Sequence, residues 1–440
     1  MNELPRRRYL AAPVSRVGGS LRVPGDKSVS HRALMLGGIA TGTTRIEGFL
    51  DSDDCLATMA ALRAMGVRIE QPGRQQAVVH GAGLEGLRAS AAPLDLGNAG
   101  TAIRLFMGLL AGQSFPSTLV GDESLMRRPM ERVAKPLRLM GAHIDTQEGC
   151  PPVRLYGDAS LHGIEYALPM ASAQVKSAVL LAALRARGVT RVTEPAPTRD
   201  HTERMLAGFG AQLQRQGATV EIAGGQVLRG TEIRVPGDFS SAAFYIVAGC
   251  LGAPDGLTIR GVGINPTRTG LLDMLRLMGA RITVTALSAA GPEPLADITA
   301  YASPLRGVAI PRELVPLAID ELPVLFIAAA CAEGETLVSG AEELRVKESD
   351  RLAAMAQGLA AIGVQCELLA DGLRIQGGTL RGGRVDSHGD HRVAMSFAIA
   401  SVRAREAIEI TDVANVATSF PGFPAAARSV GLALDEGRDS

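Results

Sequence analysis

The charged residues best suited to act on a small molecule stand at the openings of runs that are otherwise apolar. Lys27, Ser28 and Arg32 open the first such run, and Ser28 and Arg32, four apart, share a helix face. Asn98, Gly100, Thr101 and Arg104 open a second, and Ser172, Gln174 and Lys176 a third. Asp320 and Glu321 open a fifth, and Asp390, His391 and Arg392 a sixth. More charges gather at Arg127 and Arg128 before Pro129, at Arg199-Asp200-His201, and from Lys347 through Glu348 to Arg351. A helix start already attracts anions, because its free N–H groups and its dipole favour negative charge. Adding lysine and arginine suits phosphate and carboxylate together, arginine through paired hydrogen bonds. The pattern points to small polyanionic substrates.

Each signal has a plainer structural reading. Gly25-Asp26-Lys27-Ser28 looks like the tail of a phosphate-binding loop, but the glycine before the lysine is missing and no second glycine stands at the required spacing. Residues 97–101 also read as a simple helix cap, and Asp390 as another. Lys347 and Arg351, with Glu348 between them, fit a solvated helix start. Asp320-Glu321 fits a dipole complement, and His391 an interior histidine. His388 and His391 lie near Asp386 and Asp390, but no matching His or Cys cluster exists elsewhere, so no metal is expected. No G-x-S-x-G elbow occurs, and the five cysteines are scattered, none in an electropositive motif.

The elements that must position these residues recur. A helical run ending near Leu-x-x-Met-Gly, followed by an alternating strand, closes at Gly66, Gly141, Gly210, Gly279, Gly363 and, weakly, Gly431. The gaps are 75, 69, 69, 84 and 68 residues. Each glycine suits a helix end that turns through positive φ. Each repeat also holds an earlier helix, apolar almost all round and therefore buried, followed by a short strand such as Thr43–Ile46 or Thr336–Val338. Six consecutive units of roughly 73 residues, strand–helix–strand–helix–strand, fill the chain. Val23-Pro24-Gly25-Asp26 is echoed at Val235-Pro236-Gly237-Asp238, a half-chain mark that suggests two groups of three, and the two Pro-Gly pairs read either as hinge crossings between lobes or as ordinary repeat loops.

Composition excludes other classes. The 440 residues carry 45 Lys plus Arg and 45 Asp plus Glu, a balance that argues against general nucleic-acid binding. Only 3% are aromatic, which argues against binding single strands by stacking. No apolar run reaches membrane-spanning length, and the N-terminus lacks the apolar core of a signal peptide. The unpaired cysteines fit a reducing, cytoplasmic location. With cations at the proposed site, the compensating acids are expected largely elsewhere.

The strings PGDKSVSHRAL, LGNAGTAIR, RRPM, MASAQVKSAVLLAAL, TRDHTERM, IDELP, LRVKESDRL, DHRVAMS and ATSFPGF run in order from about residue 18 to 423. Together they resemble the 5-enolpyruvylshikimate-3-phosphate (EPSP) synthases, class II more than class I. The resemblance implies an α/β fold of two lobes, an inside-out (inverse) α/β barrel with three βαβαββ repeats per lobe. One lobe would be 24–235, on the shikimate 3-phosphate side, and the other 1–23 plus 236–440, with the active site in the interlobe cleft. The implied reaction moves the enolpyruvyl group of phosphoenolpyruvate (PEP) to the 5-hydroxyl of shikimate 3-phosphate, without cofactor or metal. A cytoplasmic monomer, inhibited by glyphosate at the PEP site, is implied as well.

By the same resemblance, Asp320 accepts the proton of the 5-hydroxyl, Glu348 exchanges protons with C3 of PEP, and Lys27 touches both substrates and shuttles a proton. Shikimate 3-phosphate would contact Lys27, Ser28, Arg32, Ser172, Ala173, Gln174, Arg199, Asp320 and Lys347. PEP would contact Lys27, Gly100, Arg128, Gln174, Arg351 and Arg392, with Asn98 and Asp54 in support. The chain departs from class I at Thr418, where that class has lysine, and at Ala173, where it has a second serine. It departs from glyphosate-tolerant class II enzymes at Gly100, where they carry alanine, and lower tolerance is expected. Two other functions compete. A UDP-N-acetylglucosamine enolpyruvyl transferase shares the fold, but its loop cysteine is missing from 121–130 and its Lys-Asn-Ala pattern is replaced by Lys27-Ser28-Val29. A non-catalytic repeat scaffold would have no need of charges at buried helix starts.

Overall fold

The computed structural model describes residues 7–157, 160–287 and 291–438. The chain forms two compact units: Gly25–Val235 with Ala289–Glu293, and Met1–Pro24 with Pro236–Ser288 and Pro294–Ser440. Each has its own apolar core.

Within a repeat the sequence pattern translates directly. The apolar runs form the helices Lys27–Ile39, Gly100–Leu110 and Ala173–Ala183 in the Gly25–Val235 unit. Phe239–Gly252, Leu322–Ala330 and His391–Ala400 are their counterparts in the other unit. Every residue of Leu322–Ala330 is buried, and a side chain such as Leu325 contributes about 2 kcal/mol on burial. Short polar side chains cap most of these helices, though not Gly100–Leu110 or Leu322–Ala330. Asp26 accepts from the Val29 amide at 2.9 Å, Ser172 from Val175 at 3.4 Å, and Asp238 from Ser240 at 2.7 Å. The later, half-exposed helix of each repeat ends where expected: Gly66, Gly141, Gly210, Gly279, Gly363 and Gly431 all have φ between +83° and +101°. That region costs a residue with a Cβ more than it costs glycine.

Five of the sheets share one four-stranded order, and the sheet of Glu335–Val338, Leu373–Gln376 and Gln365–Leu368 keeps only its three antiparallel strands. In Leu94–Asp95, Ser117–Val120, Cys150–Leu155 and Ile144–Gln147, the first two strands are parallel and the rest antiparallel. The repeats are not six consecutive blocks, however. Gly19–Leu21 pairs in parallel with Leu257–Gly263, in the sheet that follows the second crossing. Glu232–Arg234 pairs in parallel with Thr41–Glu47, in the sheet that follows the first. Arg7–Ala12 lies between Ile408–Thr411 and Ala433–Arg438 and completes the sixth sheet. Three-residue strands with distant partners leave no periodic trace, so the repeat spacing could not reveal this exchange. Among the described residues, no helix is long and apolar enough to cross a membrane.

Candidate active site

In the Gly25–Val235 unit, Lys27 begins the first buried helix and its Nζ lies 3.0 Å from Oδ2 of Asp54. Asp54 sits in the first turn of the Asp53–Ala64 helix, where a carboxylate complements the dipole. Four residues on, Arg32 is buried. Its Nε donates to Thr202 Oγ1 at 2.7 Å, its Nη2 to Ser177 Oγ at 2.9 Å and its Nη1 to the carbonyl of Ser28 at 2.9 Å. One guanidinium thus ties together three helices. Burial lowers Arg32 to about 10, with Glu203 and Asp26 opposing and Arg199 adding to the fall, so it stays charged at neutral pH. Arg199 and Asp200 are half-buried just before the His201–Gly208 helix.

The starts of the second and third buried helices are joined by Gln174, whose Nε2 donates to Thr101 Oγ1 at 3.0 Å. Ser172 and Ala173 are the cap and first residue of that third helix. Arg128 is held in place by its neighbours: its Nη2 donates to Asn98 Oδ1 at 2.6 Å and to Ser124 Oγ at 3.2 Å. Asn98 in turn donates to Asp122 at 2.7 Å. Gly100 faces this guanidinium directly. A Cβ there would lie 2.7 Å from Nη1 of Arg128 and 3.2 Å from Nη1 of Arg104.

Lys176 resembled its neighbours in sequence but differs in place. It is wholly buried, 3.0 Å from Glu194 and 2.7 Å from Glu203. Residue 172 caps the helix, while 176 lies a turn deeper, where a charge survives only when paired. It is a structural ion pair and not a group presented to ligand.

In the other unit, the charges group around Arg351. Its Nε lies 2.8 Å from Asp390 Oδ2, its Nη2 2.5 Å from Glu348 Oε2 and its Nη1 3.4 Å from Asp320 Oδ1. Burial opposes the charge, but Asp390, Glu348 and Asp320 outweigh it and hold this guanidinium above its ordinary range. Arg392 donates from Nη1 to the carbonyl of Asp320 at 3.1 Å, and its Nη2 is 3.9 Å from that residue's carboxylate. Lys347 lies 3.9 Å from Asp320 and 2.9 Å from Glu343. Asp390, buried, both caps its helix through the Arg392 amide at 2.9 Å and binds Arg351. Thr418 is buried, and its hydroxyl donates to the Asn415 carbonyl at 2.7 Å.

Acids therefore accompany the cations and are not set apart from them. A guanidinium as buried as Arg351 needs paired carboxylates beside it, so the expectation of distant compensating acids is corrected. Sequence spacing also missed Asp390 as an arginine partner, since its capping role explained it fully, and it missed Arg268, which follows no motif. Asp320, Lys347, Glu348, Arg351 and Arg392 come together in this unit. Asn98, Gly100 and Arg128 come together in the other, as do Gln174 with Thr101 and Lys27 with Asp54. Among the described residues, no three His, Cys, Asp or Glu side chains are grouped to hold a metal ion. The arrangement offers fixed cations for anionic oxygens and two carboxylates, Asp320 and Glu348, on one guanidinium. Each group can hold anionic oxygens in place, and the two carboxylates on Arg351 can accept and give protons.

Comparison with known proteins gives a consistent result. The family model described as EPSP synthase (3-phosphoshikimate 1-carboxyvinyltransferase) matches residues 11–426. A 3-phosphoshikimate 1-carboxyvinyltransferase of Acidithiobacillus ferrooxidans is 59% identical over 97% of this chain and 99% of its own length. The solved EPSP synthase of Acinetobacter baumannii superposes with a TM-score of 0.88 at 50% identity, covering 98% of this chain and 100% of that one. The enolpyruvyl transferase NikO from Streptomyces tendae shares the fold, with a TM-score of 0.81 at 19% identity.

Proposed function

The chain belongs to the EPSP synthase family, and from that premise we propose how its own residues divide the work of enolpyruvyl transfer. The reaction takes shikimate 3-phosphate and PEP to EPSP and phosphate. The 5-hydroxyl oxygen of shikimate 3-phosphate bonds to C2 of PEP and gives up its proton, while C3 of PEP gains one. The tetrahedral adduct then loses a proton from C3 and expels phosphate from C2, restoring the double bond.

The observation that carries the assignment is the shared guanidinium of Arg351. Asp320 and Glu348 are both held on it, at 3.4 and 2.5 Å. Two carboxylates fixed on one cation can serve two distinct proton transfers without either drifting from its place. Asp320 takes the proton of the 5-hydroxyl, Glu348 exchanges protons with C3, and Lys27 touches both substrates. Arg351, Arg392 and Arg128, with Gly100, Gln174 and Lys27, hold PEP. Ser28, Arg32, Ser172, Ala173, Gln174, Arg199 and Lys347 hold shikimate 3-phosphate, with Asp320 at its 5-hydroxyl. Neutralising the phosphates and carboxylates brings the two anions together in reacting orientation.

The enzyme works as a monomer in the cytoplasm and is inhibited by glyphosate, a small anion that takes the PEP position beside Gly100 and Arg128. Phosphate release from shikimate 3-phosphate and PEP by the purified protein tests the whole reading. Stoichiometric release with EPSP formation is expected; a clean, folded protein that releases none overturns it.

A further inference from the structure

Next to the Asp320 cluster lies a second charged group that no part of the reaction scheme uses. Glu321, next in sequence to Asp320, is the N-cap residue of the Leu322–Ala330 helix, and its side chain is buried. It accepts a hydrogen bond from the hydroxyl of Ser240. Nη2 of Arg268, also buried, donates to the same hydroxyl at 2.6 Å and lies 3.5 Å from Glu321 Oε1. On its other side, Glu321 Oε1 lies 3.9 Å from Nη1 of Arg392, the same nitrogen that donates to the Asp320 carbonyl.

A buried carboxylate between two guanidiniums is held by both, and each guanidinium is held by it. Arg268 is anchored on the fixed side, by Ser240 and by Asp238 at 3.7 Å. Arg392 is the more accessible of the two, its side chain 12% exposed against 4% for Arg268. We propose that Glu321, anchored by Arg268 and Ser240, is a positioning residue that fixes the direction of the Arg392 guanidinium and so sets affinity for PEP. Glu321 touches no substrate. Its negative charge and the Asp320 carbonyl act on the same nitrogen, Nη1 of Arg392. This rests on the assignment of Arg392 to PEP made above.

The test is Glu321→Gln, which keeps the volume and an oxygen for Ser240 but removes the charge. We expect KM for PEP to rise about tenfold while KM for shikimate 3-phosphate stays within about twofold. Arg268→Lys, which keeps the cation, is expected to retain most of the PEP affinity, and Arg268→Met to reproduce the Glu321→Gln defect. The Glu321→Gln and Arg392→Lys effects on PEP affinity should be strongly non-additive. Unchanged PEP affinity in folded Glu321→Gln overturns the proposal, as do equal losses for both substrates or additive effects in the double variant. Arg392→Lys alone separates the two readings: normal PEP affinity in that variant overturns the assignment of Arg392 to PEP. A PEP defect there, with none in Glu321→Gln, overturns only the role of Glu321.

Discussion

Nη1 of Arg128 stands 2.7 Å from where a Cβ on Gly100 would lie, closer than real Cβ contacts come. The obstacle is the end of a flexible side chain and not backbone, so Gly100→Ala should fold normally and displace the guanidinium. PEP KM is expected to rise about tenfold, with glyphosate inhibition weakened by a larger factor. Inhibition curves for both proteins check this, and equal glyphosate inhibition would dispose of the steric argument.

Neutralising the carboxylates on Arg351 separates chemistry from binding. Asp320→Asn and Glu348→Gln should each fold and bind both substrates, yet lose about 10² to 10⁴ in kcat. Rapid-quench single-turnover measurements read the chemical steps directly. Near-full turnover in either variant would remove that residue from proton transfer.

Lys27 is tied to Asp54 at 3.0 Å, and Asp54 is buried. Lys27→Met should weaken both substrates and cost about 1–2 kcal/mol of stability, because a buried carboxylate loses its cation. Adding Asp54→Asn should recover the stability but not the affinity. Calorimetric titration and thermal melting distinguish the two effects, and unchanged affinity for each substrate would refute the central placement of Lys27.

His31 is buried, with Nδ1 2.8 Å from Thr58 Oγ1. Burial first, then the nearby charges of Lys27 and Arg32, lower it from 6.5 to about 3. The unfolded chain therefore binds a proton that the folded chain refuses between these values, and stability falls as pH drops below 6.5. The slope approaches about 1.4 kcal/mol per pH unit from this group. His31→Gln should lose one proton's worth of that slope in urea unfolding between pH 7 and 5; an unchanged slope would contradict the buried neutral imidazole.

The parts of the molecule legible in sequence are the local ones. A helix-ending glycine needs only its own backbone, so all six could be read, and so could the buried helices with their charged starts. The partners of those charges were less legible. Lys176 and Arg32 look alike on paper, yet one is spent on Glu194 and Glu203 while the other bridges Thr202 and Ser177. Glu321 and Arg268, 53 residues apart, meet directly and share Ser240, which lies on a third element. Spacing along the chain says which residue types are near a helix start. Which of them face a ligand depends on contacts that cross repeats.

The exchange of strands also sets an order of assembly. All the strands of the three sheets in the Gly25–Val235 unit lie between residues 41 and 234, so those sheets can close while the rest of the chain is still being made on the ribosome. The residues synthesised before them must wait. Gly19–Leu21 has no partner until Leu257–Gly263 emerges, and Arg7–Ala12 none until 408–438. The first of the described strands is thus among the last to be hydrogen-bonded, with both its sides left open until 408–438 have been made.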